Sequence, residues 1–187
     1  DSDKGRAVPR QAPQMAAAQR KAKSNAGAAM TMSRRPTGSS PRRLPWGVLL
    51  LGVLWTLPNS LAGALLGAAG LAFGARVRWQ GSELAWVVRS WPWGCGGALT
   101  LGNVILHTGE RLDTPCLTYA HRAGHAIEPA VSLAAHERAH VYQYMLLGPL
   151  FLPLYVLCGG ISARNRFERA ADRYALHGRG WWPWSAG

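Results

Sequence analysis

SLAAHERAHVYQYM, residues 132–145, is an apolar, alanine-rich stretch that carries two histidines, a glutamate and an arginine within five positions. Residues four apart project from one side of a helix, so His136 and His140 stand beside each other. That is the separation at which two imidazoles grip one tetrahedral zinc ion. Glu137, one residue on, is placed to take a proton from a water at the metal as general base. A surface helix with these residues would also be stable without a metal. Here Ala134, Ala135, Ala139 and Val141 flank the motif and indicate partial burial, and buried imidazoles and carboxylates require partners.

The helix is predicted over 129–147, with Pro129 at its first position and Gly148 and Pro149 as its stop. A zinc site that keeps one position open needs a third protein ligand. The metzincin solution is excluded, because it places Gly at 143 and His at 146, where this chain has Gln143 and Leu146. A glutamate on a later helix is the other solution, and NRFERAADRYA (165–175) offers Glu168 with Asp172 one turn further on. Glu168 has a competing role, since Asn165-x-x-Glu168 is also a capping box opening a helix over 166–177 that ends at Gly178. His121 and His125 are competing ligands, also four apart, but the residues between them make a weak helix and include no glutamate.

Working outward, residues 76–79, 83–90 and 97–106 are short, rich in Val, Ile, Leu and Trp, and bounded by turn residues, which predicts three strands. Residues 107–128 read as a loop or irregular crossover. The stretch 148–161 is uncharged but broken by Pro and Gly, fit for a second membrane-contacting or re-entrant element. GWWPW (180–184) has the composition of interfacial tryptophans.

Thirty residues from Trp46 to Ala75 carry no charge, more than the roughly 20 needed to cross a bilayer as a helix. Pro58, Asn59 and Ser60 divide the run, so one kinked span and a re-entrant hairpin of two halves are both open. A signal peptide ranks behind these, because the apolar sequence continues past its small-residue patch. Arg34, Arg35, Arg42 and Arg43 upstream outweigh Arg76 and Arg78 downstream, which places the N-terminal side in the cytoplasm of a membrane-localised protein.

The formal net charge is +12, but 10 of the 21 basic residues lie in residues 1–43, a segment of Ala, Gln, Ser, Pro and Gly read as a disordered tail. No aromatic residue is interleaved with those charges, and no specific nucleic-acid partner is expected. Met30 and Met32 precede the arginines, which leaves open whether residues 1–29 are native. Cys95, Cys116 and Cys158 form no CxxC pair and read as ordinary buried thiols.

Three stretches, LWTLPNSLAGALLG (54–67), ALTLGNVIL (98–106) and HERAHVYQYMLLGPLFLPLYVL through NRFERAADRY (136–174), resemble a family of uncharacterised bacterial membrane proteins with a zincin-like, gluzincin-type domain. The resemblance spans about 46–177. It implies an α+β fold: an apolar membrane helix or hairpin (44–75), then a small zincin-like domain (76–178, including the apolar 144–161) with a short sheet, then a Trp-rich tail (179–187). It implies His136, His140 and Glu168 as ligands of Zn2+, Glu137 as catalytic base, and Asp172 as the aspartate that in gluzincins orients a ligand histidine. The expected activity is hydrolysis of peptide bonds in peptides or membrane proteins at the lipid bilayer. Tyr174 and His177 are candidate donors to the oxyanion, and strand 98–106 is the candidate edge for aligning an extended peptide. The alternative is a non-catalytic integral membrane protein in which a metal or polar cluster is structural.

Overall fold

The computed structural model describes residues 45–94, 97–124 and 130–185. The basic tail 1–43, Cys95, His125 and Pro129 lie outside the described residues. The fold is mixed α+β.

Residues 46–71 form two helices, α1 (Trp46–Trp55) and α2 (Leu57–Leu71), bent by 67° at Thr56. The break falls within one turn of Pro58, which has no N–H to donate and whose ring would clash with the carbonyl four residues back in a continuous helix. The polar residues at the bend are docking points. Buried Thr56 donates to Asn103 Oδ1 (2.6 Å), Asn59 Nδ2 donates to the Gly148 carbonyl (3.0 Å), and Ser60 Oγ accepts from the Asn103 amide (2.9 Å).

Strands β1 (Arg76–Gln80), β2 (Ala85–Arg89), β3 (Ala98–Leu101) and β4 (Val104–His107) make one sheet in the order β1-β2-β4-β3. The predicted single strand over 97–106 is thus a hairpin, because Gly102 turns the chain at φ +62°. Any Cβ at Gly102 would meet the backbone of Ser60, its nitrogen at 2.7 Å. β2 and β4 run parallel and the outer pairs antiparallel.

Both faces of the inner strands are covered, which is why they read as near-continuous apolar runs. Val88, Val104 and Leu106 meet α2, which approaches closely through Gly63 and Gly67. Ala85, Val87 and Ile105 face helix α4 (Leu133–Leu147) and share a core with Leu133, Ala134 and Val141. β5 (Pro115–Cys116) and the short α3 (Tyr119–Arg122) lie in the segment expected to be irregular, and β5 pairs with β6 (Val131–Ser132), which falls inside the stretch predicted as helix. After α4, a 3-10 turn (Gly148–Leu150) leads into α5 (Phe151–Leu157), and α6 (Arg166–His177) packs back on α4. Cys116 and Cys158 are free thiols, but half-buried rather than buried.

The tryptophan-rich end folds back onto the domain. Trp181 packs edge-on against Tyr142, Trp184 against Phe167, and Arg173 donates to the carbonyls of Gly180 and Trp182. By length and composition, one helical stretch, Leu133–Leu157, suffices to cross a membrane, and α1 with α2 does so as a bent pair. The outward side of α1 and α2 is apolar, with Trp46, Leu50, Leu54, Leu61 and Leu65 all exposed.

Candidate metal centre

Two helix starts set the site. α4 begins at Leu133, four residues after the predicted start, because the chain is still extended in β6 and Ser132 caps the helix by accepting the Ala135 amide. α6 begins where predicted. Asn165 Oδ1 accepts from the Phe167 amide (2.9 Å), while its Nδ2 donates to the carbonyls of Tyr155 and Gly160. Glu168 does not close a capping box; its carboxylate turns toward α4.

There it meets both histidines. His136 Nε2 and His140 Nε2 are 3.2 Å apart, His136 Nε2 is 3.2 Å from Glu168 Oε2, and His140 Nε2 is 3.5 Å from Glu168 Oε1. All three residues are buried. Donor atoms at zinc-like distances from one tetrahedral ion lie about 3.3 Å from each other, so these separations fit a shared cation. Glu168 Oε1 accepts from Tyr155 OH (2.6 Å), which leaves Oε2, 3.2 Å from His136 Nε2, facing the shared position. His136, His140 and Glu168 can hold a metal ion.

The outer imidazole nitrogens decide which lone pairs face inward. Gln143, fully buried, donates from Nε2 to the carbonyls of Trp181 (2.8 Å) and Phe167 (3.2 Å), so its Oε1 must be the atom 2.8 Å from His140 Nδ1. An oxygen there requires His140 to carry its proton on Nδ1, which leaves the Nε2 lone pair for a metal. Asp172 Oδ1 stands 2.9 Å from His136 Nδ1, an ion-pair contact that favours the proton on that nitrogen. When the imidazoles are protonated rather than turned to a metal, burial alone would still raise the Glu168 carboxyl, but the charge on His140 and the hydrogen bonds from both imidazoles outweigh it and hold that carboxyl well below the usual carboxylate range.

Comparison with protein-family models, curated proteins and solved structures finds no match. What the site can do therefore rests on its own geometry.

Glu137 is buried beside the cluster and accepts from Thr100 Oγ1 at 2.6 Å, which ties the edge strand β3 to α4. Both line a cavity of about 390 Å³, together with His136, His140 and Glu168. Tyr174 and His177 are not brought to it. At about 100° per residue, they lie round α6 from Glu168, and the Tyr174 ring packs against Tyr142 instead. His121 is used elsewhere: its Nδ1 lies 2.9 Å from Thr118 Oγ1 and accepts from the Thr118 amide, capping α3. His125 lies outside the described residues.

Sequence reasoning missed Gln143, Thr100 and Tyr155. Gln143 carried a signal: three residues after His140, it shares a helix side with that histidine. Thr100 and Tyr155 carried none, because strand pairing and the turn at Gly148 bring them in.

Proposed function

We propose that this chain is a membrane-associated zinc metallopeptidase, of the gluzincin type that the sequence resembles. The observation that carries the reading is the convergence of His136 Nε2, His140 Nε2 and Glu168 Oε2 next to Glu137 in one cavity. Two neutral imidazoles and one carboxylate are a donor set suited to zinc, and a site with three protein ligands keeps a position open. When bound, the ion supplies Lewis-acid chemistry, acidifying a water and polarising a carbonyl oxygen.

The protein's own residues then divide the work. Gln143 and Asp172 hold the two imidazoles in the tautomer that faces inward. Tyr155 fixes Glu168 through Oε1. Thr100 holds Glu137 Oε2, so the carboxylate is oriented to take a proton from a water and return it to the departing amine. His136, Glu137, His140 and Glu168 are each buried, which strengthens these interactions over their value in water.

Membrane association is supported by the thirty uncharged residues from Trp46 to Ala75 and by the exposed apolar side of α1 and α2. The arginines upstream of Trp46 favour a cytoplasmic N-terminal side.

The test is metal analysis of the detergent-purified full chain, paired with peptide hydrolysis by wild type and Glu137→Gln. About one zinc per chain in both proteins, with hydrolysis only in wild type, is the expected result. A folded wild-type protein that binds no zinc overturns it. Zinc in both proteins with no difference in activity or cellular phenotype points to a structural metal instead.

A further inference from the structure

We propose that the substrate is an extended, apolar segment of a membrane protein, laid along the open edge of β3 with apolar side chains on both sides of the bond to be cut. The proposal rests on the peptidase reading above and adds to it what kind of polypeptide the site receives.

Among the described residues, β3 lies at the end of the sheet order and is paired on one side only, by β4. The Thr108 amide donates to the Gly97 carbonyl (3.2 Å), which makes Ala98↔His107 a pair that does not exchange hydrogen bonds. The alternation then makes Leu99↔Leu106 a bonded pair and turns the peptide groups of Ala98 and Thr100 toward the free edge. Both residues line the cavity, and the Thr100 side chain reaches Glu137. A peptide strand added here takes main-chain hydrogen bonds whatever its sequence, and its backbone runs past the general base.

Side-chain preference comes from the walls. Leu99, Leu117, Leu152, Val156 and Ile161 line the cavity and are all exposed, Val156 by 67% and Ile161 by 76%. Arg122 is the one charged residue among the described lining residues outside the histidine–glutamate cluster. A charged peptide side chain held between such walls loses water and finds at most one partner, whereas an aliphatic one gains by covering exposed aliphatic surface. The wall residues of α5 belong to Leu133–Leu157, a stretch whose composition suits a bilayer. A segment drawn from a membrane protein is the apolar polypeptide such an opening meets.

The test uses the full-length Glu137→Gln chain, zinc-loaded in detergent micelles, and two labelled peptides of equal length read by fluorescence anisotropy. One has Leu, Val and Ala flanking the central bond; the other has Asp and Lys at those positions. The apolar peptide should bind at least about tenfold more tightly, and Val156→Lys with Ile161→Lys should shrink that preference while leaving bound zinc unchanged. Equal or tighter binding of the charged peptide, or binding of neither, overturns the proposal. Wild-type protein is assayed for cleavage in parallel. Tight apolar binding without cleavage by zinc-bearing wild type keeps the segment assignment and overturns the peptidase reading.

Discussion

Gln143 Oε1 lies 2.8 Å from His140 Nδ1, while the nitrogen of the same amide donates to the carbonyls of Phe167 and Trp181. One side chain thus ties a candidate metal ligand to the start of α6 and to the tryptophan-rich end of the chain. Gln143→Leu removes the partner that fixes the His140 tautomer and the amide donor that bridges the Phe167 and Trp181 carbonyls. Metal affinity should fall by about 10–100-fold, measured by competition with a chromogenic chelator, and stability should fall by about 1–3 kcal/mol. An unchanged affinity would show that packing alone orients His140.

The three donors should not be equivalent to Glu137. His136→Ala, His140→Ala and Glu168→Gln should each lose the bound metal, because two ligands cannot hold the ion tightly. Glu137→Gln should keep it. Elemental analysis of the four purified variants checks this, with circular dichroism to confirm that each is folded.

Thr100→Val should leave metal content intact but lower hydrolysis by about tenfold or more, since a general base contributes through its position as well as its pKa. The expected loss lies in kcat rather than KM, because Thr100 Oγ1 touches Glu137 and not the ligands. A change in KM alone would move Thr100 from base positioning to substrate binding.

Acid should weaken the metal-free protein through Glu168. Its carboxyl is held below the ordinary value of 4.5. A group whose pKa is lowered on folding contributes stability that is present above the unfolded value and is lost as pH falls toward the folded one. The melting temperature of chelator-treated protein should therefore drop as the pH is taken below 4.5, and Glu168→Gln should flatten that slope. Parallel slopes in the two proteins would assign the acid sensitivity elsewhere.

Gly102→Ala tests how α2 is seated on the sheet. The position has φ +62°, and a Cβ there would run into the backbone of Ser60. Strain and steric displacement together should cost more than about 1 kcal/mol, read from urea titration. A neutral substitution would mean that α2 and the β3–β4 turn separate easily.

Much of the centre was legible because it is encoded at short range. His136, Glu137 and His140 lie within one helical turn, and Glu168 and Asp172 are one turn apart on α6, so spacing alone gives each pair its common direction. The end of α4 at Gly148 and both ends of α6 were equally local, since caps depend on a few adjacent residues. The start of α4 was not: Pro129 is a good first residue in isolation, but pairing of Val131 with Cys116 keeps that part of the chain extended. The hairpin at Gly102 was also hidden, because Leu99, Leu101, Val104 and Leu106 are apolar on both sides of it and the run reads as one strand.

Periodicity and spacing in the chain determined which side chains belong together on each helix and that a long uncharged stretch precedes the domain. Only the tertiary structure decided that α6 docks with Glu168 against the two imidazoles, that Gln143 reaches His140 while bridging to Phe167 and Trp181, and that the uncharged stretch bends at Thr56 to pack its glycines on the sheet. Those outcomes depend on contacts between residues tens of positions apart. Such contacts follow from how buried polar groups find partners and how close-packed surfaces fit, and neither leaves a periodic trace in the sequence.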